Sequence, residues 1–402
     1  MISLASQNKG SMNKPIHIKS GVDRRLRNGY RWIFSNEIAD PIKSFEAGET
    51  VEVVDVNGYV VGTGLVNPHA LIAVRLLADG SVPIDRNFFR TAILTAASRR
   101  HRWYPGETCV RLVFGESDGL PGLVIDRYEN HYVIQSFTIG IDRHLKDISE
   151  VLRELYSPDS IVFRQDSLIR KLEDLPLEKS VPYGSCPPEV SATIHGMTYR
   201  LNLLDGQKTG FFLDQRENHL LMRTYAKGKK VLDCFSYVGA WALHAAQSGA
   251  NSVRGLDSSA SAIEACTHHV SLNGLDNCTF DQADVFDELK AINDRRESYD
   301  VIVLDPPAFA KSKSQVRDAV KGYREINRRA AKALAPGGLL ISCSCSHVID
   351  QETFRNTVFQ GVASAGRSAL LLEQHGQAKD HPVLMSMRET EYLKCLVMEI
   401  NP

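Results

Sequence analysis

Apolar positions between residues 50 and 77 come in short runs: "ETVEVVDVNGYVVGTGLVN" is broken once by Asn57-Gly58, and "LIAVRLL" follows. The spacing predicts a strand, a tight hairpin turn, a second strand and a third, so residues 14–84 read as a small β module. In "DRNFFRTAILTAASRRHRWY" the positions Phe88, Phe89, Ala92, Ile93 and Ala96 fall at helical intervals, which predicts a helical linker over 85–107.

The rhythm changes over 108–190. "VRLVFGESDGLPGLVIDRYENHYVIQSF" reads as strands around a Gly/Pro turn, a helix follows over 142–155, and "SIVFRQD" is a further strand. The Pro-rich "VPYGSCPPE" (181–189) is expected to break any element and close this second, α+β unit. From 195 to 402 short apolar strands alternate with helices: "KKVLDCF", "SVRGLD", "CTFDQAD", "YDVIVLDPP" and "GGLLISCSCS" are each followed by a helical pattern. That alternation predicts an α/β, Rossmann-like domain with a parallel sheet, helices on both faces and ligands at the carboxyl ends of the strands.

A chain of 402 residues, 43% hydrophobic, can bury a core in each of these units. Its eight cysteines are scattered and none has partners at zinc-ligand spacing, so reduced thiols, no structural metal and a cytoplasmic setting are expected. The first 20 residues hold no apolar signal core, and no stretch is apolar for long enough to span a membrane. A net charge of -1 carries no case for nucleic acid, so local clusters have to make it. The clusters are Arg24, Arg25, Arg27, Arg31 and Trp32, then "SRRHRWY", "KGKK" and the stretch 311–329. In the last, Arg317, Lys321, Arg324 and Arg328 share one helix face, which reads first as a solvated outer surface and second as a phosphate-binding stripe.

Candidate chemistry lies at the strand ends. Asp233, Phe235, Ser236, Tyr237 and Gly239 occupy the turn after the first strand, where a dehydrogenase would carry G-x-G-x-x-G to admit a pyrophosphate; its absence counts against a nicotinamide cofactor. Asp257 ends the second strand, where a carboxylate can accept both hydroxyls of a ribose. Asp284 ends the third and could accept an adenine amine, and Asp305 opens "DPPAF" at the end of the fourth. Each acid alone is an ordinary helix cap or turn residue; four at successive strand ends form a pattern. Together they resemble the class I S-adenosylmethionine (SAM)-dependent methyltransferases, with Asp233 to Gly239, Asp257, Asp284 and Asp305 as the cofactor site. The rigid Asp305-Pro306-Pro307-Ala308-Phe309 turn would then meet a flat base.

By itself that turn suggests methylation of an exocyclic amine. The cysteines after the fifth strand argue otherwise. A thiolate attacks C6 of a pyrimidine and thereby makes C5 nucleophilic enough to take a methyl group. Cys343 and Cys345 would face the same way on a continuous strand, so periodicity alone does not choose between them.

The order of the β module, "GESDGLPGLVIDRY", "GQKTGFFLDQR", "DCFSYVGAWA", "DPPAFAKSK", "GYREIN" and "SCSCS" resembles the bacterial large-subunit ribosomal RNA cytosine-C5 methyltransferases of the methyltransferase I type, across nearly the whole chain beyond residue 14. The resemblance implies a PUA RNA-binding domain over 14–84, a central α+β domain over 108–190 and a SAM-binding methyltransferase domain over 195–402. It implies Cys345 as nucleophile, with Asp305 beside the target base and Cys343 as packing. It adds Phe211, Asp214 and Gln215 at the cofactor entrance, with Lys208, Pro306, Pro307 and Phe309 toward RNA. The implied partner is 23S ribosomal RNA; a homodimer stays open. So do two other functions: a guanine-N7 or exocyclic-amine RNA methyltransferase, and a non-catalytic ribosome-assembly factor.

Overall fold

The computed structural model describes residues 13–310 and 312–402; Lys311 and the first twelve residues lie outside it. The chain forms two compact units. The first comprises the residues up to Glu189 together with Asn202–Gly210 and Lys379–Thr390, and the second comprises Val190–Leu201, Phe211–Ala378 and Glu391–Pro402. The expected start of the last domain at 195 therefore falls inside a hairpin of the second unit.

In the first unit, β1 (Lys14–His17), α1 (Val22–Arg27), β2 (Trp32–Phe34), β3 (Thr50–Val54), β4 (Val60–Val66) and β5 (Ile72–Asp79) build a sheet in the order β1-β3-β4-β5-β2. Its core is Ile16, Leu26, Ile33, Val51, Val53, Val74 and Leu76, of which Val51, Val53, Val74 and Leu76 belong to the runs that predicted the strands. The helix α2 (Arg86–Trp103) follows, capped by Asp85, whose side chain accepts from the Phe88 amide. Then β6 (Cys109–Phe114), β7 (Leu123–Tyr128), β8 (His131–Ser136), α3 (Ile139–Arg143), α4 (Leu145–Tyr156), β9 (Ser160–Gln165) and β10 (Glu178–Gly184) complete a second sheet, ordered β10-β9-β8-β7-β6. Here the structure corrects one expectation: β10 runs through residues 181–184. Pro182 is tolerated because β10 is an edge strand with a register shift between Ser180 and Tyr183.

In the second unit, β11 (Val190–Ile194) and β12 (Met197–Leu201) form a hairpin, and α5 (Arg216–His219) and α6 (Met222–Tyr225) lead into the main sheet. That sheet is built from β13 (Lys230–Cys234), α7 (Ala240–Gln247), β14 (Ser252–Asp257), α8 (Ala260–Leu272), β15 (Cys278–Gln282) and α9 (Val285–Asp294). It continues through β16 (Tyr299–Leu304), α10 (Val316–Ala333), β17 (Leu334–Ser344), α11 (Gln351–Ser364), β18 (Ser368–His375) and β19 (Lys394–Asn401). The strand order is β15-β14-β13-β16-β17-β19-β18. The first five strands are parallel, while β19 runs antiparallel between β17 and β18. The order reverses at β13, so the loops after β13 and β16 open side by side, where such sheets take ligands. Apolar side chains fill both faces, with Leu232, Ile302, Leu304 and Leu340 on one and Val231, Val301, Val303 and Ile341 on the other.

Candidate active site

The loop after β13 is held in an uncommon shape. Phe235, Tyr237 and Gly239 have φ of 68°, 52° and 80°, the left-handed region that costs a bulky residue about 1–2 kcal/mol. Bonds to the end of β14 offset that cost: the Phe235 and Ser236 amides both donate to the Leu256 carbonyl at 2.9 Å, and the Tyr237 amide donates to Asp257 Oδ2 at 2.9 Å. Two glycines make the approach feasible. A Cβ on Gly255 would lie 2.3 Å from the Phe280 ring, and one on Gly239 would lie 2.9 Å from it. Gly239 is also the N-cap of α7 and supplies no side chain, which leaves first-turn amides of that helix available to a ligand.

The four strand-end acids turn out to be unlike one another. Asp233 is fully buried, and neither of its carboxylate oxygens meets a hydrogen-bond partner. Burial pushes its carboxyl up to about 7; the nearby Ser236 hydroxyl and Ala242 amide oppose this, and the charges of Asp305 and Asp257 add to it. Asp257 accepts two backbone amides, from Tyr237 and from Ser259, both at 2.9 Å. Asp284 is exposed and caps α9, accepting from the Asp287 amide at 3.0 Å. Asp305 is clamped: Gln215 Nε2 donates to Oδ1 at 2.9 Å and Trp241 Nε1 donates to Oδ2 at 3.0 Å. Gln215 is itself oriented by Asn218, whose Nδ2 donates to Oε1 at 2.6 Å.

The structure also separates the two cysteines. The strand β17 ends at Ser344, so Cys345 has left it. Cys343 is completely buried, pairs in register with Cys395, and burial pushes its thiol up. Cys345 is half-buried and sits between two anchored serines. Ser344 Oγ donates to the Tyr323 hydroxyl at 3.0 Å, that hydroxyl lies 3.4 Å from Ser346 Oγ, and the Ala310 amide donates to Ser346 Oγ at 3.4 Å. One thiol is thus presented just past a strand end beside the Asp305 turn, and the other is core.

The remaining expected site residues divide. Phe211 is 1% exposed, its ring 4.9 Å from Tyr199 and 5.9 Å from His219, so it packs the interior instead of lining an entrance. Asp214 is buried and accepts from the Tyr392 hydroxyl at 2.6 Å. Lys208 belongs to the first unit, where its neighbour Thr209 donates to Asp126 at 2.6 Å. Pro306 is buried and Pro307 exposed, while the Phe309 ring packs on Tyr323 at 4.5 Å.

Of the four arginines expected to meet RNA in the β module, three are occupied by carboxylates. Arg25 grips Glu37, Arg27 donates to Asp55 at 2.9 Å, and Arg31 donates to Asp79 at 2.7 Å. Trp32 Nε1 donates to Glu116 at 2.9 Å. Internal pairing weakens the phosphate-binding reading for Arg25, Arg27 and Arg31. Arg24 alone of the four is exposed with no acidic partner among the described residues. On α10, Arg317, Lys321 and Arg324 are exposed, Lys321 lying 3.1 Å from Asp318, whereas Arg328 is paired with Glu325. Sequence reasoning missed Trp241 and Lys394, the latter buried next to Cys345.

Residues 181–375 match the family described as S-adenosylmethionine-dependent methyltransferase, and residues 16–79 match a PUA-like domain. Fold and site together define a SAM-dependent methyltransferase with an N-terminal PUA-like domain. The chain is 37% identical over 391 residues to the ribosomal RNA large subunit methyltransferase I of Klebsiella pneumoniae (strain 342), covering 95% of this chain and 98% of that one. It is 38% identical to the protein of the same name from Shewanella amazonensis over 395 residues, 97% of this chain and 100% of the other. It belongs to the ribosomal RNA large subunit methyltransferase I family. Among solved structures, SMU.776, described as a methyltransferase and complexed with SAH, superposes with a TM-score of 0.83 at 22% identity, covering 96% of this chain and 100% of that one. A SAM-dependent methyltransferase structure from Streptococcus mutans gives 0.81 at 21% identity, again over 96% and 100% of the two chains.

No helix among the described residues is long and apolar enough to cross a membrane. The residues present suit the cofactor, because a buried carboxylate without a partner is what a ligand ammonium would satisfy.

Proposed function

We propose that the protein methylates C5 of a cytosine in 23S ribosomal RNA through a covalent bond between Cys345 and C6. The observation that carries this reading is the half-exposed Cys345, fixed between Ser344 and Ser346 beside the Asp305 turn, while Cys343 is sealed in the core. SAM, when bound, supplies an electrophilic methyl group. Asp233 would hold its ammonium, Asp257 its ribose hydroxyls, Asp284 its adenine amine, and the loop Phe235, Ser236, Tyr237 and Gly239 its amino-acid end. Asp305, oriented by Gln215 and Trp241, would hold the target cytosine at its amine or N3.

The Cys345 thiolate forms the S–C6 bond as the C5=C6 electron pair moves to C5, which then accepts the methyl group. A base or water then takes the C5 proton, the C5–H bonding pair re-forms C5=C6, and the S–C6 pair leaves with the thiolate. Arg24, together with Arg317, Lys321 and Arg324, would supply RNA phosphate contacts, and the PUA-like domain supports an RNA substrate. The names of the relatives support the large-subunit target. In the test, Cys345→Ala should abolish methyl transfer to ribosomal RNA while SAM binding survives, with 5-methylcytosine as the wild-type product by nucleoside mass spectrometry. Retained turnover in the variant, or a methyl group on guanine N7 or an exocyclic amine, would sink the proposal.

A further inference from the structure

Lys394 is the first residue of β19, and antiparallel pairing sets it opposite Ser344, the last residue of β17, immediately before Cys345. Its side chain is 3% exposed, an expensive place for an ammonium without an anionic partner. Nζ donates to the Ser346 and Tyr392 carbonyls, both at 2.7 Å, and the Ser346 carbonyl also accepts from the Ile349 amide at 3.3 Å. Among the described residues no carboxylate lies within ion-pair distance of Nζ. An ammonium carries three donors, and two neutral carbonyls use only two of them.

The groups whose charge favours the ammonium are Cys345, Asp350 and Glu391, with Cys345 the strongest. Asp350 and Glu391 are exposed, and Asp350 is already engaged as the cap of α11, accepting from the Thr353 amide at 2.7 Å. Burial pulls Lys394 down to about 8 against those three.

We propose that Lys394 is a positioning residue for the methyl-transfer reaction: it braces the loop through Ser346 and holds Cys345 as a thiolate. The inference rests on Cys345 being the nucleophile. Lys394 is an ammonium at neutral pH, so the Sγ proton is released to solvent as the S–H bond breaks and the S–H pair stays on sulfur as a thiolate facing that ammonium. The ordinary alternative is a lysine that only ties two carbonyls together. That role would leave the thiol's titration unmoved.

The test is the rate of Cys345 alkylation by iodoacetamide in the full-length protein without RNA. It is followed by mass spectrometry of the Cys345 peptide between pH 5.5 and 9.5. The wild-type midpoint should fall at least one unit below the ~8.5 of an ordinary thiol. Lys394→Met should raise it, slowing alkylation at pH 7 about 10-fold, and Lys394→Arg should restore most of the rate. SAM binding by both variants reports intact folding. Superimposable wild-type and Lys394→Met profiles would overturn the inference. So would a wild-type midpoint at or above 8.5, which needs no variant to fold. Methylation retained by Cys345→Ala defeats the nucleophile reading instead, so the two failures are distinguishable.

Discussion

Replacing Asp233 by asparagine should make the ligand-free protein more stable at alkaline pH and, at the same time, poorer at binding SAM. The carboxyl is raised from 3.8 to about 7 by burial. A folded value above the unfolded one means that the folded state holds the extra proton between those limits. Stability is therefore lost as pH rises from 3.8 to 7 and stays lost above it. At 1.36 kcal/mol per unit the cost is about 2 kcal/mol at pH 5.5 and about 4 kcal/mol at pH 8. Asparagine has no such titration, but its buried amide carries a fixed penalty of roughly 1–3 kcal/mol. The pH-dependent part is free of that penalty, so relative to wild type the variant should gain about 2 kcal/mol between pH 5.5 and 8. His244 titrates alike in both proteins and cancels. Urea unfolding read through hydrogen exchange of the β13 amides measures the difference. Calorimetric titration with SAM should show affinity reduced on the order of 10- to 100-fold, the worth of a charge-assisted bond to the ammonium. A stability difference independent of pH, or an unchanged SAM affinity, would refute the assignment of Asp233.

His244 is 1% exposed, its Nδ1 has no partner, and burial lowers it from 6.5 to about 3, with the charges of His195 and Arg223 adding to the effect. The contribution of His244 is fully present above 6.5 and falls with pH below it, so wild type should lose about 2 kcal/mol more than His244→Leu between pH 8 and pH 5 in unfolding titrations. Cys343→Ala should retain methyl transfer and cost about 1 kcal/mol in unfolding free energy, the price of a small cavity. The combined variant Arg317→Ala, Lys321→Ala, Arg324→Ala should bind ribosomal RNA more weakly, with the slope of log affinity against log salt shallower by about 2, measured by filter binding.

The elements were legible because their faces are one-sided. The 85–104 pattern places Phe89, Ile93 and Ala96 in the core, and Asn57-Gly58 marks the turn between β3 and β4. The pattern failed at β10, where Pro182 stops a strand in a sheet interior but not at an edge. It did not show that β19 runs against its neighbours, because β19 follows no crossover helix and alternation carries no direction.

The acids of the site were visible by position, yet only the structure shows that Asp233 is unpartnered while Asp284 caps a helix. Trp241 and Lys394 escaped notice for a related reason. Their roles depend on which strand lies beside which, across 64 residues to Asp305 in the first case and 48 to Ser346 in the second. The arginines at 25, 27 and 31 looked free only because Glu37, Asp55 and Asp79 are brought to them by folding.

The covalent route is tested most directly with an RNA fragment bearing 5-fluorocytosine. After methyl transfer its C5 carries fluorine where a proton would leave, so the Cys345–C6 bond should persist. A complex stable to denaturing electrophoresis should form with wild-type protein and SAM, lose its link in Cys345→Ala, and map to the Cys345 peptide. Efficient methylation of unmodified RNA with no trapped complex, or a link mapped to another residue, would contradict the account.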